Sequence, residues 1–348
     1  MADYVSSALL AFQSKINKRY NQSELREQQN PILRVGLANQ DFTVDNVAAI
    51  KESDKRAVRA YALKKIAATN GTARSYNHTG VQGDSAQISL SWSTFSETTG
   101  VFMQSGYDNV YNTTLMLDNQ IMQVQRILRE RIGAYILQQC HTNRSQTYVG
   151  TPRNGTWNGT NYAFEIDDSD KNRFWYDAAS LMRQQKYYDQ FIAIADPLTM
   201  KLADFLGNQG QGNATNLSYQ FKDFIPGGIM EHALLGDTVS SEYANGTALI
   251  MPQYAFSVIP WIPLINRTGA GDYEDYNGGW GTIPDATGLP ITYAVHGWAQ
   301  RADGSSNGSV VQDWKIELEL SVDIAFQTDY HSTSGESAIF EFGLNNPI

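Results

Sequence analysis

The sequence predicts an α+β fold in which one long helix and one long strand dominate. Between Leu115 and Gln139, apolar residues recur at steps of three and four, as they do along one face of a helix. Between Trp314 and Gln327, they alternate strictly with polar residues, which is the period of a half-buried strand. At about 1.5 Å and 3.3 Å per residue, both elements would span roughly 40 Å, enough to reach across a subunit.

The stretch before the long helix predicts helices followed by a strand. Residues 3–28 and Val44–Ala68 each carry an amphipathic pattern, so we expect helices there. In Gln87–Phe95, apolar residues alternate with serines, which predicts a strand that is exposed on one face. Residues of Asn112–Thr114 are favourable N-caps and place the start of the long helix.

The long helix is predicted to have an apolar side and a polar side. The polar side carries Gln123, Arg126, Arg129 and Glu130. Cys140, near the end of the helix, is expected to be a small buried hydrophobe. The apolar side is formed by Leu117, Ile121, Val124, Leu128, Ile132 and Tyr135.

Beyond the helix, the pattern breaks into shorter elements. Thr142–Asp170 is rich in Gly, Asn and Thr, which indicates a surface-crossing loop and a domain boundary. Phe191–Ala195 predicts a buried strand, and Asp196 followed by Pro197 predicts the cap and first residue of a helix, so an α/β layer is expected. Other predicted elements are a helix at Asp177–Gln185, strands at Ala248–Met251, Phe256–Trp261 and Ile291–Arg301, and a loop at Gly269–Gly281.

Composition disfavours a nucleic-acid-binding protein. Lys and Arg total 26 against 36 Asp and Glu, which gives a formal net charge of −10. A chain with this balance does not neutralise phosphate backbones in the sequence-independent way that basic proteins do. Charged residues make up 18%, below the usual value of about 25%, so the surface depends on neutral polar groups.

Nothing in the sequence forms a catalytic, metal-binding or cofactor-binding motif. The histidines are scattered singly, and Cys140 is the one cysteine. Gly207–Gly212 contains glycines without the lysine of a nucleotide loop. Asp168–Asn172 opens like a calcium loop, but Arg173 stands where the turn glycine belongs. We therefore expect no enzymatic activity, no cofactor and no metal.

The order of elements resembles that of the HK97-type major capsid proteins of tailed bacteriophages. Gln87–Asp108 followed by Asn112–Asn143 is similar to the family's extended loop and spine helix. The strand, turn and helix of Phe191–Leu206 are similar to the family's axial domain, and Trp314–Phe326 is similar to the strand that returns beside the spine helix.

The resemblance implies an HK97-like capsid fold with an N-terminal arm, an extended two-stranded loop, a long spine helix with peripheral strands, and an α/β axial domain. The implied divisions are 1–80 for the N-terminal arm and helices, 81–111 for the extended loop, 112–175 for the peripheral domain with the spine helix, 176–300 for the axial domain, and 301–348 for the return to the peripheral domain with the long terminal strand.

The resemblance also implies a function. The chain would be a structural virion protein that self-assembles as hexamers and pentamers into an icosahedral shell around double-stranded DNA, without sequence-specific DNA binding. Its partners would be other copies of itself and portal, scaffolding and cement proteins, and assembly would take place in the cytoplasm of the bacterial host. Arg126, Arg129 and Arg131, on the polar side of the helix, are expected inter-subunit contacts, with an ordinary solvated face as the alternative.

Two other functions remain open at this point. An encapsulin-like compartment would use the same fold to store enzymes in place of a genome. A secreted β-rich glycan-binding or glycosidase module is favoured by the aromatic loops around Trp157, Trp261 and Trp280. The second alternative predicts a soluble monomer that binds a sugar, whereas the capsid and the compartment both predict particles.

Overall fold

The structure is a computed structural model. It describes residues 9–10, 12, 30–39, 47–54, 56, 59–63, 85–89, 91–102, 113–148, 150–152, 155–187, 191–208, 225, 227–232, 243, 246–273, 277–303, 312–330 and 335–345. Most of the helix expected over residues 3–28 lies outside these residues. Leu9, Leu10 and Phe12 are helical, and Leu9 and Phe12 are buried in the main core.

Helices and strands follow one another in the part of the chain that the structure describes. The helices are α1 Pro31–Ala38, α2 Val47–Glu52, α3 Thr113–Thr142, α4 Phe174–Gln184, α5 Pro197–Asn208 and α6 Leu264–Thr268. The strands are β1 Arg59–Leu63, β2 Ser85–Ser89, β3 Trp92–Phe102, β4 Thr156–Asn158, β5 Ala163–Asp167, β6 Phe191–Ala195, β7 Ile229–Glu231, β8 Thr247–Pro252, β9 Phe256–Trp261, β10 Ala270–Gly271, β11 Gly279–Pro284, β12 Thr292–Asp303, β13 Gln312–Thr328 and β14 Phe340–Asn345.

The first sheet is antiparallel and is built around β13. Its strand order is β10-β11-β12-β13-β3, and β9 also pairs with β13. On one side of β13, β12 pairs as far as Ser321, and β9 takes over from Asp323 to Thr328. On the other side, β3 pairs with Lys315–Ala325. The long strand is therefore hydrogen-bonded on both sides along most of its length.

The predicted long helix and long strand both form and pack in one core. The helix has 30 residues and the strand 17, slightly more than the sequence predicted. Leu128 and Ile132 of α3 lie in the same buried cluster as Leu318 and Leu320 of β13. Each such side chain contributes about 1.5–3 kcal/mol when it is fully buried, so the interface holds α3 firmly against the sheet.

The second sheet mixes parallel and antiparallel pairs in the order β4-β5-β14-β8-β6-β7. On β6, Ile192 and Ile194 face the core that contains α3, whereas Phe191 and Ala193 face a second core that contains α4. This double burial explains the unbroken apolar run that predicted a buried strand. The predicted helix at Asp196–Leu206 is confirmed as α5, and the backbone N–H of Leu198 donates to the Asp196 carboxylate at 3.4 Å.

Four sequence-based assignments need correction. The loop predicted over Thr142–Asp170 contains β4 and β5, which pair with each other in the second sheet. The helix predicted over Val44–Ala68 stops at Glu52, and Arg59–Leu63 forms a strand because it pairs with Ser85–Ser89. The two strands described within 81–111 do not pair with each other, since β2 pairs with β1 and β3 joins the first sheet. The predicted loop at Gly269–Gly281 contains β10 and the start of β11.

Sheet membership also crosses the expected divisions at 175/176 and 300/301. Strands β9, β11 and β12 fall in the range expected for the axial domain but belong to the first sheet with β13. Conversely, β4, β5 and β14 fall in ranges expected for the peripheral domain but belong to the second sheet. The apolar residues of β14, Phe340 and Phe342, pack beside Phe164 of β5, which accounts for this placement.

Candidate functional site

The most extended feature of the molecule is the pair formed by α3 and β13. At about 1.5 Å per residue, the 30 residues of α3 span roughly 45 Å, and the 17 residues of β13 span roughly 56 Å at about 3.3 Å per residue. We call this pair the frame. The polar groups that fasten the frame to the rest of the chain, and those it leaves exposed, are the candidate functional groups.

Arg129 fastens the middle of α3 from inside the protein. Its side chain is 2% exposed, and Nη1 lies 2.7 Å from Oδ2 of Asp285, which is fully buried. The Tyr293 hydroxyl donates to the same carboxylate at 3.0 Å, and the backbone N–H and hydroxyl of Thr287 donate to its other oxygen. Burial and the charge of Asp285 raise the pKa of Tyr293 well above its usual value, so this hydroxyl stays protonated and continues to donate.

The buried position of Arg129 corrects its expected role as an inter-subunit contact. A guanidinium that is enclosed by its own subunit and paired with Asp285 cannot reach a neighbouring copy. The sequence pattern placed Arg129 on the polar side of the helix because charged residues are almost never fully buried unless they are paired. Here the pairing supplies the exception.

Gln125 makes a second tie between α3 and the segment after β11. Its Nε2 donates to the Pro284 carbonyl at 3.1 Å, and its Oε1 accepts from the Ala286 N–H at 2.9 Å. Gln125 lies one helical turn before Arg129, so both side chains contact the same short segment, residues 284–286. These hydrogen bonds and the ion pair therefore fasten α3 to the β11–β12 connection.

Arg126 and Arg131 remain at the surface. Arg126 pairs with Glu130 one turn later at 2.9 Å, and its side chain is 53% exposed. Arg131 is 51% exposed and reaches Glu97 of β3 at 3.0 Å as well as the Ser96 carbonyl. Exposed pairs of this kind contribute about 0–1 kcal/mol, so both guanidinium groups can exchange their present partners for others at little expense.

A second buried charged cluster lies where α3 ends. Glu341 of β14 is fully buried, and its Oε2 lies 2.9 Å from Arg144 Nε and 3.1 Å from His141 Nδ1. Oε2 accepts no well-directed hydrogen bond, so its contact with the Arg144 guanidinium is mainly charge attraction. Arg144 also donates to the Asn161 carbonyl, while the Thr247 hydroxyl donates to Glu341 Oε1 at 3.3 Å. The cluster joins the frame to the second sheet.

The tryptophans that favoured a glycan-binding module do not come together. Trp157 lies on β4 of the second sheet and stacks on Tyr148, and Trp261 is buried at the end of β9. Trp280 stands on β11 and stacks against His296 at 3.8 Å between ring centroids. Burial lowers the pKa of His296, with Glu319 opposing the shift. These rings stabilise separate parts of the fold and do not form one sugar-binding platform.

Cys140 behaves as the sequence predicted. Its thiol is completely buried, and burial raises its pKa far above the usual value, which keeps it uncharged and unreactive. Within the part of the chain that the structure describes, no group of three or more His, Cys, Asp or Glu side chains is placed to hold a metal ion. No helix among the described residues is long and apolar enough to cross a membrane.

Sequence reasoning missed the carboxylates that fasten the frame. Asp285, Glu341 and Asp323 lie in stretches that otherwise read as turn or strand, and each is buried. One signal was available for Glu341, which sits between Phe340 and Phe342 in an apolar run. A carboxylate in such a run is either an edge residue or the partner of a buried cation.

Comparison with known proteins finds similarity in overall chain architecture. No protein-family model and no curated protein matches the sequence. The chain is similar to a structure from Mycobacterium phage Che8, with 9% identity, a TM-score of 0.46, and coverage of 85% of this chain and 86% of that chain. It is similar to the capsid structure of the cyanophage P-SCSP1u, with 12% identity, a TM-score of 0.43, and coverage of 90% and 98%.

The capsid of Ralstonia phage GP4 is also similar, with 8% identity, a TM-score of 0.43, and coverage of 86% of each chain. The chain is thus similar to phage capsid structures. Identity this low transfers no residue role, so roles are assigned from the contacts of this chain alone.

Proposed function

We propose that this chain is a major capsid protein that self-assembles as hexamers and pentamers into an icosahedral shell around phage double-stranded DNA. The observation that carries the proposal is the frame, a long helix and a long strand whose buried side chains share one core. A subunit braced in this way resists bending, as a component of a closed shell must. Copies can therefore meet at their edges with a fixed geometry.

The frame also gives each copy lateral reach. Interfaces in obligate assemblies commonly exceed the roughly 1,600 Å² of a standard complex, and elongated subunits can bury such areas with several neighbours at once. The β1–β2 pair belongs to neither six-stranded sheet, so it is the candidate for the extended two-stranded loop. Portal, scaffolding and cement proteins are the further partners that we propose for such a shell.

The charge balance supports enclosure of DNA without tight binding. A shell that held its genome by many lysine and arginine contacts would resist release of the DNA. Each phosphate that such a side chain neutralises adds to the affinity of the shell for DNA. With a net charge of −10, the chain lacks the excess of cations for such a grip. The proposed location of the assembled protein is the virion, after assembly in the host cytoplasm.

Electron microscopy and light scattering of the purified protein test the proposal. We expect closed isometric particles, or hexamers and pentamers that convert to particles when the protein is concentrated with a crowding agent. Particles from a phage-infected host should contain double-stranded DNA, whereas a compartment would contain a cargo enzyme. A protein that stays monomeric under all these conditions contradicts assembly as its function.

Arg126 and Arg131 are the proposed inter-subunit contacts on the exposed side of α3. Arg126→Glu and Arg131→Glu should leave the subunit folded, since each removes only a surface pair. They should reduce assembly, because each variant places a carboxylate where a neighbour would meet a cation. A loss of about 1.4 kcal/mol per contact raises the protein concentration needed for assembly about tenfold.

Assembly yields of these variants are measured by sedimentation beside a matched control, Lys171→Glu. Lys171 is a similarly exposed cation, 48% exposed, that pairs with Asp168 on a different part of the surface. Yields equal to those of the control, together with an unchanged melting curve, would remove both arginines from the interface.

A further inference from the structure

Along the chain, the β1–β2 pair lies between helix α2 and strand β3, and β3 belongs to the first sheet. Arg56 precedes β1, and Trp92 begins β3 after β2. The two strands pair with each other from Arg59 opposite Ser89 to Leu63 opposite Ser85. Among the described residues, neither strand pairs with another sheet. A two-stranded ribbon on its own is marginally stable, so its direction depends on how its two ends are held.

A residue that precedes β1, Arg56, and a residue that follows β2, Thr94, both contact Asp323 of β13. Arg56 Nη1 donates to the Thr94 hydroxyl at 3.0 Å and lies 3.3 Å from Asp323 Oδ1. The Thr94 hydroxyl donates to the same Asp323 oxygen through a short hydrogen bond. The Asp323 side chain is only 8% exposed, so this carboxylate is the shared acceptor for groups before β1 and after β2.

The surroundings of Asp323 make it a stiff support. Asp323 lies opposite Thr94 of β3 on one side and opposite Trp261 of β9 on the other. Two residues further along, Ala325 lies between Trp92 and Ile259. The position is therefore held by strands on both sides.

Helix α2 covers the same patch and fixes the chain just before Arg56. Val47 and Ile50 pack with Ile259, Ala325 and Trp92 in a small buried cluster. The Ser53 carbonyl, three residues before Arg56, accepts from Trp261 Nε1 at 3.0 Å and from Arg267 at 2.8 Å. The chain thus arrives at Arg56 already anchored to β9 and α6.

We infer that Arg56, Thr94 and Asp323 form a positioning site that sets the direction of the β1–β2 pair for contact with a second copy of this chain. The inference rests on the proposed shell function. It adds to that function a point of attachment for the β1–β2 pair, formed by Arg56, Thr94 and Asp323, which we call the root. A ribbon held at its root converts a small tilt there into a larger displacement further out, so loss of the root spoils the contact with the neighbour. The frame supplies the rigidity, since Asp323 belongs to β13.

The test uses Arg56→Ala and Thr94→Val, which remove the two groups that close the root and leave the buried Asp323 in place. Hydrogen exchange in the isolated subunit should become about tenfold faster in Arg59–Leu63 and Ser85–Ser89, because local opening there becomes easier. Exchange in α3 and along β13 should not change. Arg56→Lys retains the charge and should give a smaller effect.

Assembly is then measured by electron microscopy of the same variants. We expect few closed particles and more irregular aggregates or free subunits, with only a small drop in melting temperature. The drop should be small because Arg56 is 49% exposed, so water screens this pair far more than it screens Arg129 and Asp285. Lys171→Ala is the matched control, because it removes one cation of an exposed pair on another surface. A purely structural role for the root would lower the melting temperature and raise exchange throughout the subunit.

The outcomes separate the two proposals. If the unchanged protein forms shells and both variants form identical shells with unaltered exchange in β1 and β2, the positioning site is wrong and the shell function stands. If the unchanged protein never assembles, the shell function fails whatever the exchange data show. Exchange that rises everywhere in the variants would mark the root as a folding determinant and would also overturn its positioning role.

Discussion

Arg129→Met should lower the free energy of unfolding of the subunit by about 3–5 kcal/mol, because it leaves the Asp285 carboxylate buried without its cation. Tyr293 and Thr287 would still donate to Asp285, but neutral donors do not replace a charge at 2.7 Å. Methionine fills much of the volume of the arginine stem, so the loss reports the charge and not a cavity. Urea unfolding followed by circular dichroism measures the shift of the midpoint.

A double-mutant cycle assigns this loss to the pair. Asp285→Asn keeps an acceptor for Thr287 and removes the charge, so it should also be destabilising while Arg129 is present. The two changes together should cost less than their sum, with an interaction energy of about 0.5–3 kcal/mol. Arg126→Met, one turn away on the exposed side, is the control and should change stability by about 0.5 kcal/mol or less. An Arg129→Met midpoint equal to that of Arg126→Met would contradict the buried pair.

The buried pair also changes how assembly should be tested. Arg129→Glu would place a second carboxylate against Asp285, so failure of that variant to form particles would report misfolding. Arg126→Glu and Arg131→Glu avoid this ambiguity because their present partners are at the surface. The structure therefore distinguishes Arg129, which is paired inside the subunit, from Arg126 and Arg131, which are exposed.

The long helix and strand were predictable because their information is local. The large apolar residues of β13 face one side at period two from Ile316 to Phe326, and no distant partner is needed to see the pattern. The same holds for the helix stripe through Leu128 and Ile132, which is buried as expected. The run Phe191–Ala195 followed by an N-cap was also local and was placed correctly.

The failures have a common physical origin in non-local partners. Arg129 finds Asp285 at a sequence separation of 156, and neither residue alone signals burial. The strand at Arg59–Leu63 exists because Ser85–Ser89 pairs with it, and the amphipathic pattern there fits a helix until the partner is known. The sheet to which a strand belongs also depends on distant partners. Gln327 and Phe340 are close in sequence but lie in different sheets.

The candidate sites show the same division. Exposed arginines on a helix face could be named from the sequence, and Arg126 and Arg131 are indeed exposed. The root on Asp323 could not be named, because Arg56 and Thr94 reach it from sequence separations of 267 and 229. Tertiary pairing decides which charged residues are buried inside the subunit and which stay exposed.

The other large effect is expected at the junction between the frame and the second sheet. Glu341→Gln preserves the shape of the side chain and removes its charge, which leaves Arg144 buried without a counter-ion. We expect a loss of about 3–5 kcal/mol in unfolding free energy, measured by urea unfolding. The hydrogen bonds of Arg144 to the carbonyls of Asn161 and His141 would survive, so the loss reflects the missing charge.

Glu165→Gln is the matched control for this change. Glu165 lies opposite Gly343 on the strand next to β14 and makes hydrogen bonds to Asn158 and Asn345, but it is only partly buried and pairs with no cation among the described residues. It should cost about 1 kcal/mol, the value of an ordinary hydrogen bond. Equal effects of the two substitutions would mean that the Glu341 charge contributes nothing special to stability.

The consequence for function follows from where Glu341 sits. His141 lies in the last turn of α3, and Arg144 follows the helix. Glu341 and Thr247 belong to adjacent strands of the second sheet. Glu341→Gln should therefore loosen the second sheet relative to the frame before the frame itself unfolds. Hydrogen exchange would show this as faster exchange in β8 and β14 with unchanged protection in β13. Uniform loss of protection in all three strands would instead show that the two sheets unfold as one cooperative unit.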